Sequence, residues 1–239
     1  MLNKILFALL VPVAAFAQVV CTFPEPPAAG KQPEIPGIQA FSMKKAPVID
    51  GKLDDEAWKG APVLENFVWL RRLGNVKLQS FANQKIDEQG AIPVSQKTRV
   101  RLGYGADKLY ISFQCDEARM NEIVANEESW SSYVWQDDCV QVMLQGTADR
   151  DRKHWHLILS ANNAVSVSYN NYKSGAIRRV AVEHAVARNE KGWSAEIAIP
   201  YASFGEKYPG DGIQWRMNFM REEQPFKEVS SWSETLNSF

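Results

Sequence analysis

Cysteines, excess charge and long apolar runs are all scarce in this sequence. Its three cysteines allow at most one internal disulfide, and none stands in the Cys-x-x-Cys spacing that holds a metal or a redox centre. The 27 Lys and Arg residues nearly balance the 28 Asp and Glu residues, so no broad field attracts nucleic acid or an anionic membrane. A Gly-rich phosphate loop and a nucleophile elbow are also missing. This composition favours a neutral ligand.

The one long apolar run stands at the N-terminus, in residues 1–17. It combines the basic Lys4, an apolar stretch and a small-x-small cleavage site that ends at Ala17. The run is too short to anchor a protein in a bilayer. Val20 precedes Cys21, where lipoprotein processing requires a small residue. The pattern predicts a signal peptide cleaved after Ala17, and a soluble protein exported to the periplasm or the extracellular space.

The remaining chain divides into a Pro-rich leader, residues 18–45, and a domain, residues 46–239. Within the domain the apolar side chains mostly alternate with polar ones, and turn residues separate the alternating stretches. Such a pattern predicts an all-β fold, an antiparallel β-sandwich of immunoglobulin-like or jelly-roll-like kind, with one or two short helices in loops near 53–58 and 118–126. The predicted strands are 63–70, 98–104, 109–115, 139–145, 155–160, 165–170, 180–188, 193–199, 213–221 and 229–232.

Strand phase also bears on the cysteines. Cys115 is in phase with the apolar Ile111 and Phe113, whereas Cys139 is out of phase with Val140. Successive side chains of a strand point to opposite faces. The two thiols are therefore expected on opposite sides of their sheets, which disfavours a bridge between them.

Two tryptophans, Trp135 and Trp232, stand at the ends of predicted strands among polar and acidic residues. A ring used only for core packing would be poorly placed there, although Trp is usually well buried. One interpretation is that the pair clamps a flat ligand. The alternative is that both rings are structural, as the alternating pattern predicts for Trp193.

Five segments, residues 47–58, 108–113, 135–143, 192–200 and 215–221, resemble in order the signature segments of the family 9 carbohydrate-binding modules. The resemblance implies a β-sandwich that holds a sugar ring between two tryptophans and binds structural calcium. Trp135 matches the first of those rings and Trp232 the second. A pyranose has apolar C–H faces above and below a rim of hydroxyls, which suits flat aromatic walls with polar groups between them.

Strand phase indicates which polar residues accompany these rings. Gln141 alternates with inward-pointing apolar residues, and so does His156 on the next strand, so both are expected on the face opposite the core. Trp135 shares that face if the register continues through Asp137. Asn218 and Arg221 match polar positions of the family. The family typically has an acid at the position of Gln141 and an arginine at that of His156, so this rim lacks the usual charges.

Acidic side chains offer oxygen ligands for calcium in two places, Asp50 with Asp54 and Asp137 with Asp138. Neither place follows an EF-hand spacing. For Asp50 and Asp54 the alternative is a turn and a helix cap.

The sequence thus predicts a non-catalytic module that binds mono- or oligosaccharides or a polysaccharide end, in association with polysaccharide breakdown and a glycoside hydrolase partner. Adjacent acids on a strand point to opposite faces, which disfavours intrinsic hydrolase activity. Two alternatives remain open. One is a degenerate sandwich that binds proteins; the other is a haem b protein whose ligands come from His154, His156, His184, Met143 and Met217.

Overall fold

The computed structural model describes residues 18–20, 37–69, 94–146, 153–171, 174–206 and 213–233. The predicted signal peptide, Cys21 and the segment 70–93 lie outside the described residues. Three strands of the predicted leader, residues 18–20, 37–39 and 41–42, pair with the sheets, so the sheets include part of that leader.

Within the described residues the chain forms two β-sheets. The larger has the order β11-β10-β9-β8-β14-β1-β2, with β15 beside β14 and β5 beside β15, and the smaller has the order β12-β13-β7-β6-β3, with β4 beside β6. The strands are β1 (Gln18–Val20), β2 (Gly37–Gln39), β3 (Phe41–Ser42), β4 (Val63–Leu64), β5 (Val68–Trp69), β6 (Thr98–Tyr104), β7 (Lys108–Asp116), β8 (Cys139–Gln145), β9 (His154–Ser160), β10 (Val165–Asn171), β11 (Ser174–Ile177), β12 (Glu183–Asn189), β13 (Gly192–Pro200), β14 (Gln214–Glu223) and β15 (Glu228–Ser231).

A single large core lies between the two sheets. Alternate residues of β7, such as Ile111 and Phe113, meet alternate residues of β8, such as Val140 and Val142. Neighbouring described strands pair antiparallel except for β1 with β14 and β3 with β6. The prediction of an antiparallel β-sandwich is confirmed.

Helical structure in the described residues is limited to short 3₁₀ helices: Glu56–Trp58, Met120–Glu122, Val134–Gln136 and Tyr201–Phe204. The helices predicted near 53–58 and 118–126 are each a single 3₁₀ turn, and Asp54 does not cap the first. In the described part of the chain, no helix is long and apolar enough to cross a membrane.

The buried carboxylate of Glu196 fixes the segment 47–58 against β13. It accepts hydrogen bonds from the backbone N–H groups of Asp50 at 3.0 Å and Gly51 at 2.9 Å and from the indole N–H of Trp58 at 2.7 Å. Gly51 has φ +85, and a Cβ there would lie 2.5 Å from the backbone of Val186. Only glycine fits this turn. Two of the five segments noted in the sequence are therefore joined through one side chain.

Cys115 and Cys139 are free and buried. Cys115 belongs to the core between the sheets, whereas Cys139 does not. They lie on opposite sides of their sheets, in agreement with their phase in the sequence.

Candidate functional site

The larger sheet has one face toward the core and one away from it, which we call the outer face. On β8 the side chains of Val140, Val142 and Leu144 belong to the core cluster. The alternate residues Gln141 and Met143 therefore lie on the outer face. This face carries Gln141 and His156, two of the residues that the sequence predicted as a polar rim.

The structure brings Gln141 and His156 together on the outer face. Met143 and His156 are directly paired across β8 and β9, so Gln141 is the diagonal neighbour of His156. Nε2 of His156 lies 2.7 Å from Oε1 of Gln141. Gln141 is 2% exposed, and His156 is half-buried. The pair forms a fixed polar unit rather than two independent side chains.

Burial sets the protonation of His156, and the hydrogen bond to Gln141 sets its tautomer. Burial and, to a lesser extent, the charge of His154 lower the pKa of His156 to about 4. The imidazole is therefore neutral at pH 7, with its proton on Nε2 because Oε1 of Gln141 can only accept. Nδ1 is then a hydrogen-bond acceptor.

Glu222 joins this pair from the neighbouring strand β14. Nε2 of Gln141 lies 3.4 Å from Oε1 of Glu222 and 3.8 Å from Sγ of Cys139. Glu222, Gln141 and His156 thus form a diagonal row across β14, β8 and β9, which we call the polar row. The sequence prediction missed Glu222 because it ended this strand at Arg221, whereas β14 runs to Glu223.

Trp135 lies in the 3₁₀ helix Val134–Gln136, which packs against β8 and β9. Val134 is fully buried, whereas Trp135 is 47% exposed and Tyr133 is 56% exposed. The strand register of β8 does not continue through Asp137 to Trp135, because the 3₁₀ turn interrupts it. The exposed ring predicted from the polar surroundings of Trp135 is present, with Tyr133 as an exposed neighbour that the sequence prediction missed.

Trp232 lies on the core side of the sheet. Its backbone N–H donates to the carbonyl of Phe219 at 2.9 Å, so the two residues are direct cross-strand neighbours and point the same way. Their ring centroids are 6.2 Å apart, and Phe219 is a fully buried core residue. The structure therefore does not bring Trp232 to the face that carries Gln141 and His156.

Asn218 is fully buried and holds the chain that follows Trp232. Its Oδ1 accepts from the backbone N–H of Ser233 at 3.0 Å, and its Nδ2 donates to the carbonyl of Ser233 at 3.1 Å. Both ends of the amide are engaged by the backbone. This geometry gives Asn218 a positioning task in place of the predicted ligand contact.

Arg221 points into the interior, on the side opposite Gln141. Its guanidinium donates to the carbonyl of Asp116 at 2.9 Å and to Oε2 of Glu117 at 3.2 Å, and the residue is 1% exposed. The predicted ligand contact is corrected to a buried ion pair. Matching residues to the polar positions of the family failed here. Residues 218 and 221 are an odd number of positions apart, so they face opposite sides of the strand.

Two of the four predicted calcium ligands, Asp50 and Asp137, have carboxylates that are engaged by neighbouring donors. Asp50 accepts from the backbone N–H of Lys52 at 2.9 Å and from its ammonium at 3.2 Å. Asp137 accepts from the backbone N–H groups of Asn126 at 2.9 Å and Glu127 at 3.0 Å. These contacts suit a turn and a loop clamp rather than an ion.

Asp138 also accepts from backbone N–H groups, those of Val124 at 2.8 Å and Gln224 at 3.1 Å, but it belongs in addition to a buried acidic cluster with Glu117 and Glu223. Ligand oxygens of the three residues all lie within 4.8 Å of one another. Burial and a hydrogen bond with Glu117 raise the pKa of Glu223 to about 8. Burial also raises the pKa of Asp138. Carboxylates crowded in this way require a proton or a cation between them.

The proposed haem ligands are dispersed. Met217 is fully buried in the core, and Nδ1 of His184 lies 2.8 Å from Oδ1 of Asn163. Met143 and His156 are neighbours on one face of one sheet and cannot approach an iron from two sides. This placement disfavours haem binding.

No protein-family model and no curated protein sequence matches this chain. Among solved structures, the chain is similar to a candidate carbohydrate-binding protein from Bacteroides uniformis, with a TM-score of 0.61 and 13% identity over 84% of this chain and 90% of that one. It is also similar to a family 9 carbohydrate-binding module from Caldicellulosiruptor kristjanssonii solved in complex with cellotriose, with a TM-score of 0.52 and 16% identity over 84% of this chain and 94% of that one. The chain therefore has a fold like that of the family 9 carbohydrate-binding modules, as its five sequence segments predicted.

Proposed function

We propose that this chain is a non-catalytic module that binds a saccharide on the outer face of its larger sheet. The observation that carries the proposal is the 2.7 Å contact between Gln141 and His156. It holds the half-buried, neutral imidazole of His156 in place against a buried amide, and this imidazole can accept a hydrogen bond from a sugar hydroxyl. The solved complex of the similar family 9 module makes cellotriose the first ligand to test, together with glucose, the sugar unit of cellotriose.

Trp135 provides the aromatic wall in this proposal. Its ring is 47% exposed at the end of β8, the strand that carries Gln141. Stacking on such a ring buries one apolar face of a pyranose. One ring buries little area, so we expect a dissociation constant on the order of micromolar to millimolar.

Trp232 was predicted as the second wall, and its packing on Phe219 supports a different task. With a ring centroid 6.2 Å from that of a core residue, it stabilises the end of β15. In the proposal the sugar therefore stacks on Trp135, and Trp232 contributes to stability.

A non-catalytic role is supported by the location of the acids. Glycoside hydrolysis needs two carboxyl groups on either side of an accessible bond. The closely spaced Glu117 and Glu223 are 1% and 3% exposed. Glu222, on the outer face, is separated from Glu223 by the sheet itself.

We extend the proposal to calcium at the buried acidic cluster. Glu117, Asp138 and Glu223 supply the oxygen donors that calcium prefers, and their mutual crowding is the observation that fits an ion. A calcium ion there would balance the carboxylates in place of a proton. Asp50, Asp54 and Asp137 are left out of this set.

Export and biological context complete the proposal. The signal-peptide pattern of residues 1–17 supports export to the periplasm or the extracellular space. A saccharide-binding module in that location suits polysaccharide breakdown alongside a glycoside hydrolase.

Calorimetric titration with glucose and cellotriose tests the function. We expect millimolar or tighter binding by the purified protein, loss of that binding in Trp135→Ala, and an unchanged melting temperature in that variant. Val48→Ala is the control, since Val48 is 61% exposed on the loop beside the smaller sheet. Absence of heat with both sugars, at concentrations that detect millimolar binding, would refute the proposal and favour a protein-interaction module.

A further inference from the structure

We propose that Tyr133 forms a second stacking surface beside Trp135, so that the chain binds two neighbouring units of an oligosaccharide. This inference rests on the proposed function and names a further ligand-contacting residue of the same site. Its basis is the exposure of both rings on one short turn, 56% for Tyr133 and 47% for Trp135. Among the described side chains, these two are the only exposed aromatic ones.

The residue between the two rings determines how they diverge. Val134 is fully buried, and its 3₁₀ turn packs against β8 and β9. A 3₁₀ helix has three residues per turn, so neighbouring side chains point about 120° apart. With Val134 turned inward, the side chains before and after it point outward in two different directions. The rings of Tyr133 and Trp135 therefore offer two separate faces rather than the two walls of one slot.

Hydrogen bonds hold this turn in place. The backbone N–H of Tyr133 donates to Oγ of Ser131 at 3.1 Å, and the backbone N–H of Gln136 donates to the carbonyl of Tyr133 at 2.8 Å. Directly after the turn, the buried carboxylate of Asp137 accepts from two backbone N–H groups of the segment 126–127. A ligand therefore meets rings on an ordered turn, which lowers the entropy cost of binding.

The exposed residues beside the two rings are polar and neutral. Ser132 precedes Tyr133, Gln136 follows Trp135, and both are exposed. A hydroxyl and an amide can each donate and accept hydrogen bonds, as sugar hydroxyls do. Aromatic faces bordered by such groups match the apolar C–H faces and the hydroxyl rim of a pyranose.

The divergence of the rings makes the second contact depend on the length of the saccharide. A single pyranose stacked on Trp135 leaves Tyr133 uncovered, whereas a longer saccharide reaches both rings and buries more apolar surface. Trp232 does not supply this second contact, because its ring packs on the core residue Phe219. Tyr133 should therefore contribute to the affinity for cellotriose and not to that for glucose.

Calorimetric titration with the two sugars tests the inference. Cellotriose should bind the wild-type protein about tenfold or more tightly than glucose. Tyr133→Ala should reduce that ratio at least about threefold, with an unchanged dissociation constant for glucose and an unchanged melting temperature. Tyr133→Phe keeps the ring and should keep the ratio. Val48→Ala, which shortens an exposed apolar side chain beside the smaller sheet, should also keep it.

The outcomes separate the two proposals. Equal affinities of the wild-type protein for the two sugars, or an unchanged ratio in Tyr133→Ala, would overturn the second surface and leave saccharide binding on Trp135 standing. An equal loss of affinity for both sugars in Tyr133→Ala would mean that both rings contact one sugar unit, and would also overturn the inference. A failure of both sugars to bind the wild-type protein would overturn the proposed function together with this inference.

Discussion

The two faces of β14 put chemically similar residues to different uses. On the core face, Arg221 and Glu223 are 1% and 3% exposed and belong to a buried group with Glu117 and Asp138. On the outer face, Glu222 is half-buried and joins Gln141 in the polar row. Adjacent charged residues of this strand therefore differ in their surroundings: the one that faces the core is buried in an ionic group, and the one that faces outward joins the polar row.

The strongest test of this difference is Arg221→Ala. Removal of the guanidinium leaves Glu117 as a buried charge without its partner at 3.2 Å, and we expect a loss of about 3–5 kcal/mol of unfolding free energy. Chemical denaturation measures it. Arg216→Ala, on the exposed outer side of the same strand, should change stability by less than about 0.5 kcal/mol. An Arg221→Ala protein of normal stability that fails to bind sugar would reverse the assignment of the two faces.

The two tryptophans extend the comparison of core-facing and exposed side chains to aromatic rings. Trp232→Ala removes a half-buried ring that packs on Phe219, and we expect a loss of about 2–3 kcal/mol of stability. Trp135→Ala removes an exposed ring and should change stability by less than about 0.5 kcal/mol. Thermal melts measure the stability of the two variants, and titrations with cellotriose measure their sugar binding. Loss of binding in both variants, with little change of stability in either, would restore the two-wall clamp predicted from the sequence.

The buried acidic cluster should make stability depend on calcium. An ion that binds only the folded protein raises the melting temperature by mass action, about 3 kcal/mol at a hundredfold excess over its dissociation constant. We expect a higher melting temperature in millimolar calcium than in chelator. Glu223→Gln should abolish the difference, and Asp50→Asn should preserve it. Identical melting of the wild-type protein in both conditions would eliminate the calcium proposal.

Sequence phase predicted well where strands are regular. Gln141 and His156 lie within β8 and β9, and the alternation of their neighbours was enough to bring them together on one face. Prediction from phase failed at strand ends. Trp135 lies in a 3₁₀ turn, which interrupts the strand register, and β14 extends past its predicted end to include Glu222.

Sequence patterns did not predict the contacts between segments that are distant along the chain. The phase of β14 puts Arg221 on the core side, but only the fold supplies Glu117, which is 104 residues away along the chain. The amide of Asn218 clamps Ser233 by a loop geometry that no local pattern encodes. Matching to family positions assigned both residues to a ligand, because such matching carries no information about burial.

The remaining prediction concerns the dependence of stability and sugar affinity on pH. His156 has a pKa of about 4 in the folded protein, below its ordinary value of 6.5, mainly because of burial. Its contribution to stability is therefore present above pH 6.5 and is lost as the pH falls toward 4. Sugar affinity should be constant from pH 8 to about 5 and fall only near 4. His156→Gln should lose the acid-dependent part of the stability curve, as urea titrations at each pH would reveal; a drop in wild-type affinity near pH 6.5 would contradict the neutral imidazole.

The most direct test of a saccharide site on the outer face is the NMR spectrum of the histidine side chains during a titration with cellotriose. The imidazole resonances of His156 should shift with increasing sugar, because the ligand is expected beside the polar row. Those of His184, on β12 of the smaller sheet, should stay fixed. A shift at His184 with none at His156, or no shift at either while cellotriose binds, would contradict a saccharide site on the outer face.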